Sequence, residues 1–453
     1  MQLALAVVFA VLTLIGGTAR AESSASSAAI PYPSGLKTQV EFWKQVFGTY
    51  STRQVLIHDT WHLDRIYSVL DFRSQAESYA NEAELSAFID GRVKEEKERI
   101  RALLVRLHQL DGDSAELTTE EQRIRALFQG DDDWAKFLHA AAEDRIRGQR
   151  GLRERVMAGV EVSRRYLGEM EKIFRREGLP VELTRLPLVE SCFNVRAYSK
   201  AGAAGVWQFM PSTGRLYLRI DARVDERRDP IESTSAAAAL LKRNYEVLGT
   251  WPLAVTAYNH GRAGIARAVE TVGSTDLVSI IERYNGPLFK FASRNFYAEF
   301  LAALEVERHA AEYLGDLRPH APVRSEQVSV PDPVSIGIAA QAARSDVDTL
   351  ADLNPALTPD VVRGRLLLPK GWHLRVPVGS AAEFHGRYAS LLPRLRPATQ
   401  RGTRYVTHRV QRGQTLAAIA RKYGTTTTAI QRRNQLRGRG RLRAGQNLII
   451  PVG

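Results

Sequence analysis

Apolar and polar positions change rhythm several times along the chain, and each change marks a boundary. Leu3 to Ile15 is an apolar run too short to span a bilayer. Gly16-Gly17 and Ala19-Arg20-Ala21 follow it, an A-x-A cleavage pattern. The pattern predicts a signal peptide over 1–21 and a mature chain starting at Glu22, although no Lys or Arg precedes the run. Ser23 to Ser27 read as a low-complexity linker. Residues 39–72 mix aromatic and β-branched side chains (Phe42, Trp43, Phe47, Trp61, Tyr67, Phe72), which predicts a small, partly irregular subdomain against the following domain. From Gln75 to Lys172, Ile100, Leu103, Leu104 and Leu107 recur at helical spacing. That stretch predicts two or three amphipathic helices broken near Gly112 and at Gly130-Asp131-Asp132-Asp133, the acidic triplet reading as a solvated turn that caps the next helix. Residues 30–172 are thus expected to form a helical N-terminal region, and 173–310 a unit of short helices with loops at Pro211, Pro230 and Gly249-Thr250-Trp251-Pro252.

Beyond Pro319 the texture turns mixed. Val328-Ser329-Val330 and Leu366-Leu367-Leu368 are strand-like flanks around helical patterns, and 379–403 reads as a Pro- and Arg-containing linker. Tyr405 to Val410 alternates as a strand. A turn at Gln411-Arg412-Gly413 follows, then two helical segments through Ile419-Ala420, Ile430 and Asn434, and a closing strand at Leu448-Ile449-Ile450-Pro451. An internal echo precedes it: Ala339-Ala340, Leu350 and Asn354 carry the spacing of Ile419-Ala420, Ile430 and Asn434. The echo predicts a degenerate repeat at 326–378, with an ordinary α/β segment as the rival reading.

Charge alters the picture at one end only. Of the net charge of +13, residues 401–453 contribute +12, from twelve Lys or Arg and no acid. Such a concentrated cation favours an anionic polymer or surface. With a secretory leader, cell wall or lipid headgroups fit better than nucleic acid, which is not expected. Cys192 is the one cysteine, so no intrachain disulfide can form, and it lies too far along the chain to carry a lipid at the mature N-terminus. A packing role is preferred to a catalytic thiol, since no His lies near it in sequence. No metal-ligand spacing or cofactor fingerprint is present, so no metal and no cofactor are expected.

Candidate chemistry centres on Glu190, which follows the apolar run Leu186 to Val189. A carboxyl among apolar side chains loses hydration of its charged form, so its pKa rises and it can act as a general acid. Glu190-Ser191, Gly205-Val206-Trp207-Gln208, Ala257-Tyr258-Asn259 and Arg294-Asn295-Phe296-Tyr297 occur in that order. Together they resemble the four motifs of family 1 soluble-type lytic transglycosylases, over about residues 170–310. With its C-terminal module the chain most resembles the membrane-bound lytic murein transglycosylase D group. The strand–helix–helix–strand pattern at 404–453 resembles a LysM domain.

The resemblance implies a multidomain protein with a mainly α, goose-type lysozyme-like catalytic domain at 173–310 and a small α+β LysM domain (βααβ) that binds N-acetylglucosamine-containing glycan. It implies cleavage of the β-1,4 bond between N-acetylmuramic acid and N-acetylglucosamine in peptidoglycan, with Glu190 as sole acid and then base. Substrate-binding roles carry over to Ser199, Gln208, Tyr258, Asn259 and Tyr297, with Tyr258 orienting the acid or the acetamido group and Tyr297 close to the acid. Each also admits a structural reading, the amides as partners of buried backbone and the tyrosines as core aromatics. Trp207 stands where a smaller methionine is common and is expected to reshape a sugar subsite, while Phe209, Met210 and Trp251 are equally readable as sugar-stacking or core. The motifs contain no second acid, which fits a substrate-assisted reaction. A lysozyme-type hydrolase on the same scaffold and a non-catalytic glycan-binding protein are the alternatives. The expected location is periplasmic, without a lipid anchor but with peripheral attraction to anionic wall or membrane.

Overall fold

The computed structural model describes residues 30–110, 117–399, 404–434, 436 and 442–452; the expected signal peptide and the break at Gly112 lie outside these. The chain divides into two compact units, 1–323 and 324–453.

The first unit is mainly helical but carries a sheet that the helical reading of 30–172 missed. Strands β1 (Gln54–Asp59), β2 (Ile66–Asp71) and β3 (Ile146–Arg150) form an antiparallel sheet in the order β2-β1-β3, with Leu56 opposite both Val69 and Gln149. β1 is short, β-branched and buried at Val55, Leu56 and Ile57. Its partner β3 lies about ninety residues on, and Ile146 to Arg150 (Ile-Arg-Gly-Gln-Arg) has no alternation to announce it. Between β2 and β3 run the long helix Glu82–Gln109 and the short helices Thr119–Ala126 and Lys136–Ala141. The acidic turn forms but does not cap the next helix: its N-cap is Ala135, without a side-chain cap bond, while Asp133 accepts from the Ala135 amide and Asp131 pairs with Arg65.

The remaining helices of this unit surround a core that includes Met170, Phe174, Leu183, Trp207, Leu241, Leu253 and Phe300. Pro211, Pro230 and Pro252, predicted as loop markers, sit in the first turns of helices Pro211–Gly214, Pro230–Leu248 and Trp251–His260. Proline there lacks only an amide that the first turn leaves unpaired anyway.

The second unit has two small cores. β4 (Glu326–Ser329) pairs antiparallel with β5 (His373–Val376) around helices Ile336–Ala342 and Val347–Leu353 and the short helix Pro359–Val362. β6 (Arg404–Arg409) pairs with β7 (Asn447–Val452) around helices Leu416–Lys422 and Thr427–Arg433. The strand expected at Leu366–Leu368 is only a single bridge, Val334 to Leu368. Two equivalent asparagines lock the strand in each module. The Asn354 side-chain amide donates to the Leu350 and Arg375 carbonyls while its oxygen accepts from Arg375 N, all at 2.7–2.8 Å. Asn434 makes the same three bonds to Ile430 and Ile449, at 2.8 Å. The expected linker at 379–403 is instead helical over Ala381–Thr399, because Phe384 and Tyr388, four apart, are buried in the core of the 326–378 module. Among the described residues no helix is long and apolar enough to cross a membrane.

Candidate active site

Glu190 is the penultimate residue of the short helix Leu186–Ser191, started by Pro187 and stopped by two residues in the left-handed region, Cys192 (φ 48°) and Phe193 (φ 54°). Non-glycine residues rarely adopt that conformation, and a consecutive pair persists only where its surroundings enforce it. Here Phe193 is buried and stacks with Tyr166. Gly159 lets an earlier helix, Arg153–Ser163, approach so closely that an added Cβ would lie 2.2 Å from the Cys192 carbonyl oxygen. The enforced turn fixes where the helix ends and hence where Glu190 points. Ser191 then ties this helix to the second motif, donating to the Val206 carbonyl at 2.9 Å.

The second motif is a tight loop whose geometry belongs to its glycine. Gly205 has φ +75°, and a Cβ there would sit 1.8 Å from the Arg227 carbonyl oxygen. Trp207 corrects the expectation of a reshaped subsite. It is wholly buried, stacks on Phe174 and donates to Thr234 Oγ1 at 2.9 Å, so it is core rather than cleft wall. Phe209 and Trp251 are likewise core, whereas Met210 is 40% exposed. Gln208, also left-handed (φ 49°), folds its amide back to donate to the Gly205 carbonyl at 2.8 Å.

Tyr258, on the Trp251–His260 helix, donates its hydroxyl to the Trp207 carbonyl at 2.8 Å. Burial and the nearby Glu190 charge push its phenol well above the usual range, which places it electrically beside the acid. Asn259 is exposed and accepts from Ser293 Oγ at 3.2 Å, with His260 Nδ1 3.0 Å from the same hydroxyl. Ser199 closes its own turn by accepting from the Ala203 amide at 2.9 Å. Tyr297 is fully buried, and its hydroxyl donates to the Pro31 carbonyl at 2.6 Å.

Two positions further along the same helix, Phe291–Arg308, and so about 200° around it, stands a residue that sequence reasoning missed. Glu299 is half-buried and close enough to Glu190 for its charge to raise the latter's pKa. Burial is the larger cause, and both carboxyls are pushed up to about 8. Arg147 of β3 opposes this at Glu299. Glu190 itself keeps some surface open to solvent, as a residue in a cleft should. The signal for Glu299 was available: it interrupts the apolar run Phe296-Tyr297-Ala298-Glu299-Phe300-Leu301-Ala302. A charge at such a position is either paired or functional. Cys192 is no nucleophile at neutral pH, because burial pushes its thiol up to about 11. Among the described residues no cluster could hold a metal ion.

Comparison with known proteins agrees with this architecture. Residues 170–279 match the transglycosylase SLT domain family and residues 408–451 the LysM domain family. The membrane-bound lytic murein transglycosylases D of Escherichia coli strain K12 and of Escherichia coli O6:H1 strain CFT073 are each 31% identical over 296 residues, covering 62% of this chain and 62% of theirs. The chain thus spans less than two thirds of those relatives' length. The 70 kDa soluble lytic transglycosylase SLT70 from Escherichia coli aligns over 33% of this chain and 25% of its own, at 19% identity and a TM-score of 0.28, too slight a likeness to bear on the fold. The mainly helical first unit accordingly contains a transglycosylase SLT domain, with Glu190, Gln208 and Tyr258 inside it, and the chain closes on a LysM domain.

Proposed function

We propose that this protein is a peptidoglycan lytic transglycosylase. It cleaves the β-1,4 bond between N-acetylmuramic acid and N-acetylglucosamine and leaves a 1,6-anhydro ring. The observation that carries the reading is the placement of Glu190, at the end of a short helix within an SLT domain and beside Tyr258, where burial pushes its carboxyl up to about 8. A carboxyl pushed up to about 8 can donate its proton to the glycosidic oxygen as the bond to the anomeric carbon breaks. The substrate's acetamido oxygen shields that carbon, an exception to the two-carboxylate rule. The resulting Glu190 carboxylate then removes the proton from the C6 hydroxyl as its oxygen closes on C1, which returns the acid to its starting form. Tyr258 is fixed by its bond to the Trp207 carbonyl and holds the wall beside Glu190. Gln208 and Ser199 on loops and Asn259 at the end of the Trp251–His260 helix receive sugar.

Glu299 supplies the second carboxylate that a hydrolase reading requires. The products separate that reading from a transglycosylase, because only attack by water on the glycosyl carbon leaves a reducing end. The LysM domain holds glycan, the 326–378 module repeats that fold in degenerate form, and the chain acts at the periplasmic wall. Tethering through the LysM domain raises the local concentration of glycan near Glu190. Mass spectrometry of fragments released from purified sacculi is the test. Anhydro products from the wild type, lost in Glu190→Gln, are expected. Reducing-end products would assign a hydrolase, and no release despite glycan binding would assign a binding protein.

A further inference from the structure

A cavity of about 700 Å³ opens between β3 and the start of the Phe291–Arg308 helix, within the first unit and outside the residues matched to the SLT domain. Its lining is chemically uneven. Arg294 lies 3.8 Å from the centre of the Trp61 ring, with its Nε buried and without a hydrogen-bond partner. Arg147 lies 4.4 Å from the centre of the Phe291 ring. Arg147, Lys97 and Lys290 line the cavity, and among the described residues none has a carboxylate within ion-pair distance. On the Glu82–Gln109 helix nearby, by contrast, Arg92, Arg99, Arg101 and Arg106 each have a carboxylate partner. Glu143 and Asp144 stand at the same rim, both exposed.

We propose that this cavity is a binding site for the stem peptide carried by the glycan strand, an inference that rests on the function proposed above. Two guanidinium groups over aromatic faces, one of them also donating to Asn285 Oδ1 at 3.1 Å, and two ammonium groups without an ion-pair partner suit carboxylates. The two rim acids suit an ammonium, so the cavity fits a zwitterionic peptide better than an anionic lipid or a phosphate polymer. Arg147 also joins the cavity to the helix that carries Glu299: it lies over Phe291, the first residue of Phe291–Arg308. The sheet strands and the Glu82–Gln109 helix thereby gain a role in choosing substituted glycan.

The experiment has two arms. In the first, the free tripeptide L-alanyl-γ-D-glutamyl-diaminopimelate is titrated calorimetrically into full-length Glu190→Gln. Binding is expected, weakened roughly tenfold or more when Lys97→Ala or Arg147→Ala is added, the effect of one lost charge-assisted hydrogen bond; Arg147→Lys should recover part of it. Absent binding, binding unchanged in both variants, or capture of phosphatidylglycerol vesicles in place of the peptide would overturn the proposal. In the second, wild-type kcat/KM is compared on peptide-bearing and peptide-stripped glycan, with a preference for the former that Lys97→Ala reduces. Equal rates on both glycans with no peptide binding would remove the site and leave the activity standing. Peptide binding with no cleavage of either glycan would do the reverse.

Discussion

Glu190 and Glu299 share one electrostatic neighbourhood, and its consequences are readable in pH. The negative charge of Glu299 raises the Glu190 pKa, so removing it lets Glu190 ionise at lower pH. In Glu299→Gln the alkaline limb of the pH–rate profile, set by loss of the Glu190 proton, should move to lower pH while the reaction products stay the same. A profile that does not move would mean that the two carboxyls are not coupled. Stability follows the same logic with its own sign. Glu190 binds its proton more tightly folded, at about 8, than in the unfolded chain near the ordinary 4.5. Its contribution is therefore present at low pH, lost as pH rises between those values and constant above about 8. The motif order pointed to Glu190, Gln208 and Tyr258 from sequence alone, because each motif is local. Glu299 was hidden because its meaning lies in which helix face meets Glu190, and the motif tyrosine beside it drew the attention. Tyr297 shows the limit of the same reading, since a position on a helix fixes an angle but not the neighbour on that side, here the Pro31 carbonyl.

Elements hold the site through backbone geometry more than through side-chain contacts. Gly205 is the sharpest case, with a positive φ and the Arg227 carbonyl where a Cβ would go. Neither strain can relax without moving the loop that carries Trp207 and Gln208. Gly205→Ala should cost about 2–4 kcal/mol in chemical denaturation, from backbone strain plus overpacking, and should lower activity in whatever fraction folds. A neutral result would mean that the loop tolerates a shift of more than an ångström. Local patterning announced the module at 404–453, whose alternating strands and capping threonines are close in sequence, whereas Pro211, Pro230 and Pro252 read as loops but begin helices. Thr415 and Thr426 each cap a helix there. The sheet β2-β1-β3 was not legible, because β3 is polar, short and separated from β1 by some ninety residues of helix. Nor was the Ala381–Thr399 helix, whose prolines and arginines suggested a linker until Phe384 and Tyr388 found a core.

The asparagine locks in the two small modules connect this scale to the next. Asn354 and Asn434 do the same work in cores that share no side chain. Asn354→Ala leaves the Arg375 amide and two carbonyls without their partner, at about 1–3 kcal/mol. Calorimetry should show a lowered transition for the 326–378 module, with the transition of the first unit, whose core is separate, unmoved. A single transition shifting as a whole would instead mean that the cores unfold together. The repeated lock is a feature that spacing alone did not carry, since spacing alone cannot separate a repeat from an ordinary α/β segment.

At the scale of the whole molecule, charge is the property that no single element explains. Residues 401–453 carry twelve of the basic residues and no acid, while everything before them is near neutral. An isolated LysM-type contact with neutral sugar would be nearly indifferent to salt. A cation of this size against the anionic wall is not, because mobile ions screen it over about 10 Å at 0.1 M. Retention of the full-length Glu190→Gln chain on sacculi should therefore fall several-fold between about 50 and 500 mM NaCl. What remains at high salt measures the sugar contact itself. Replacing Arg432 and Arg433 by Gln should flatten that dependence without abolishing the residual retention, since neither lies in the module's core. If retention proves salt-independent, the charge serves some other partner, and glycan affinity rests on the sugar contacts alone.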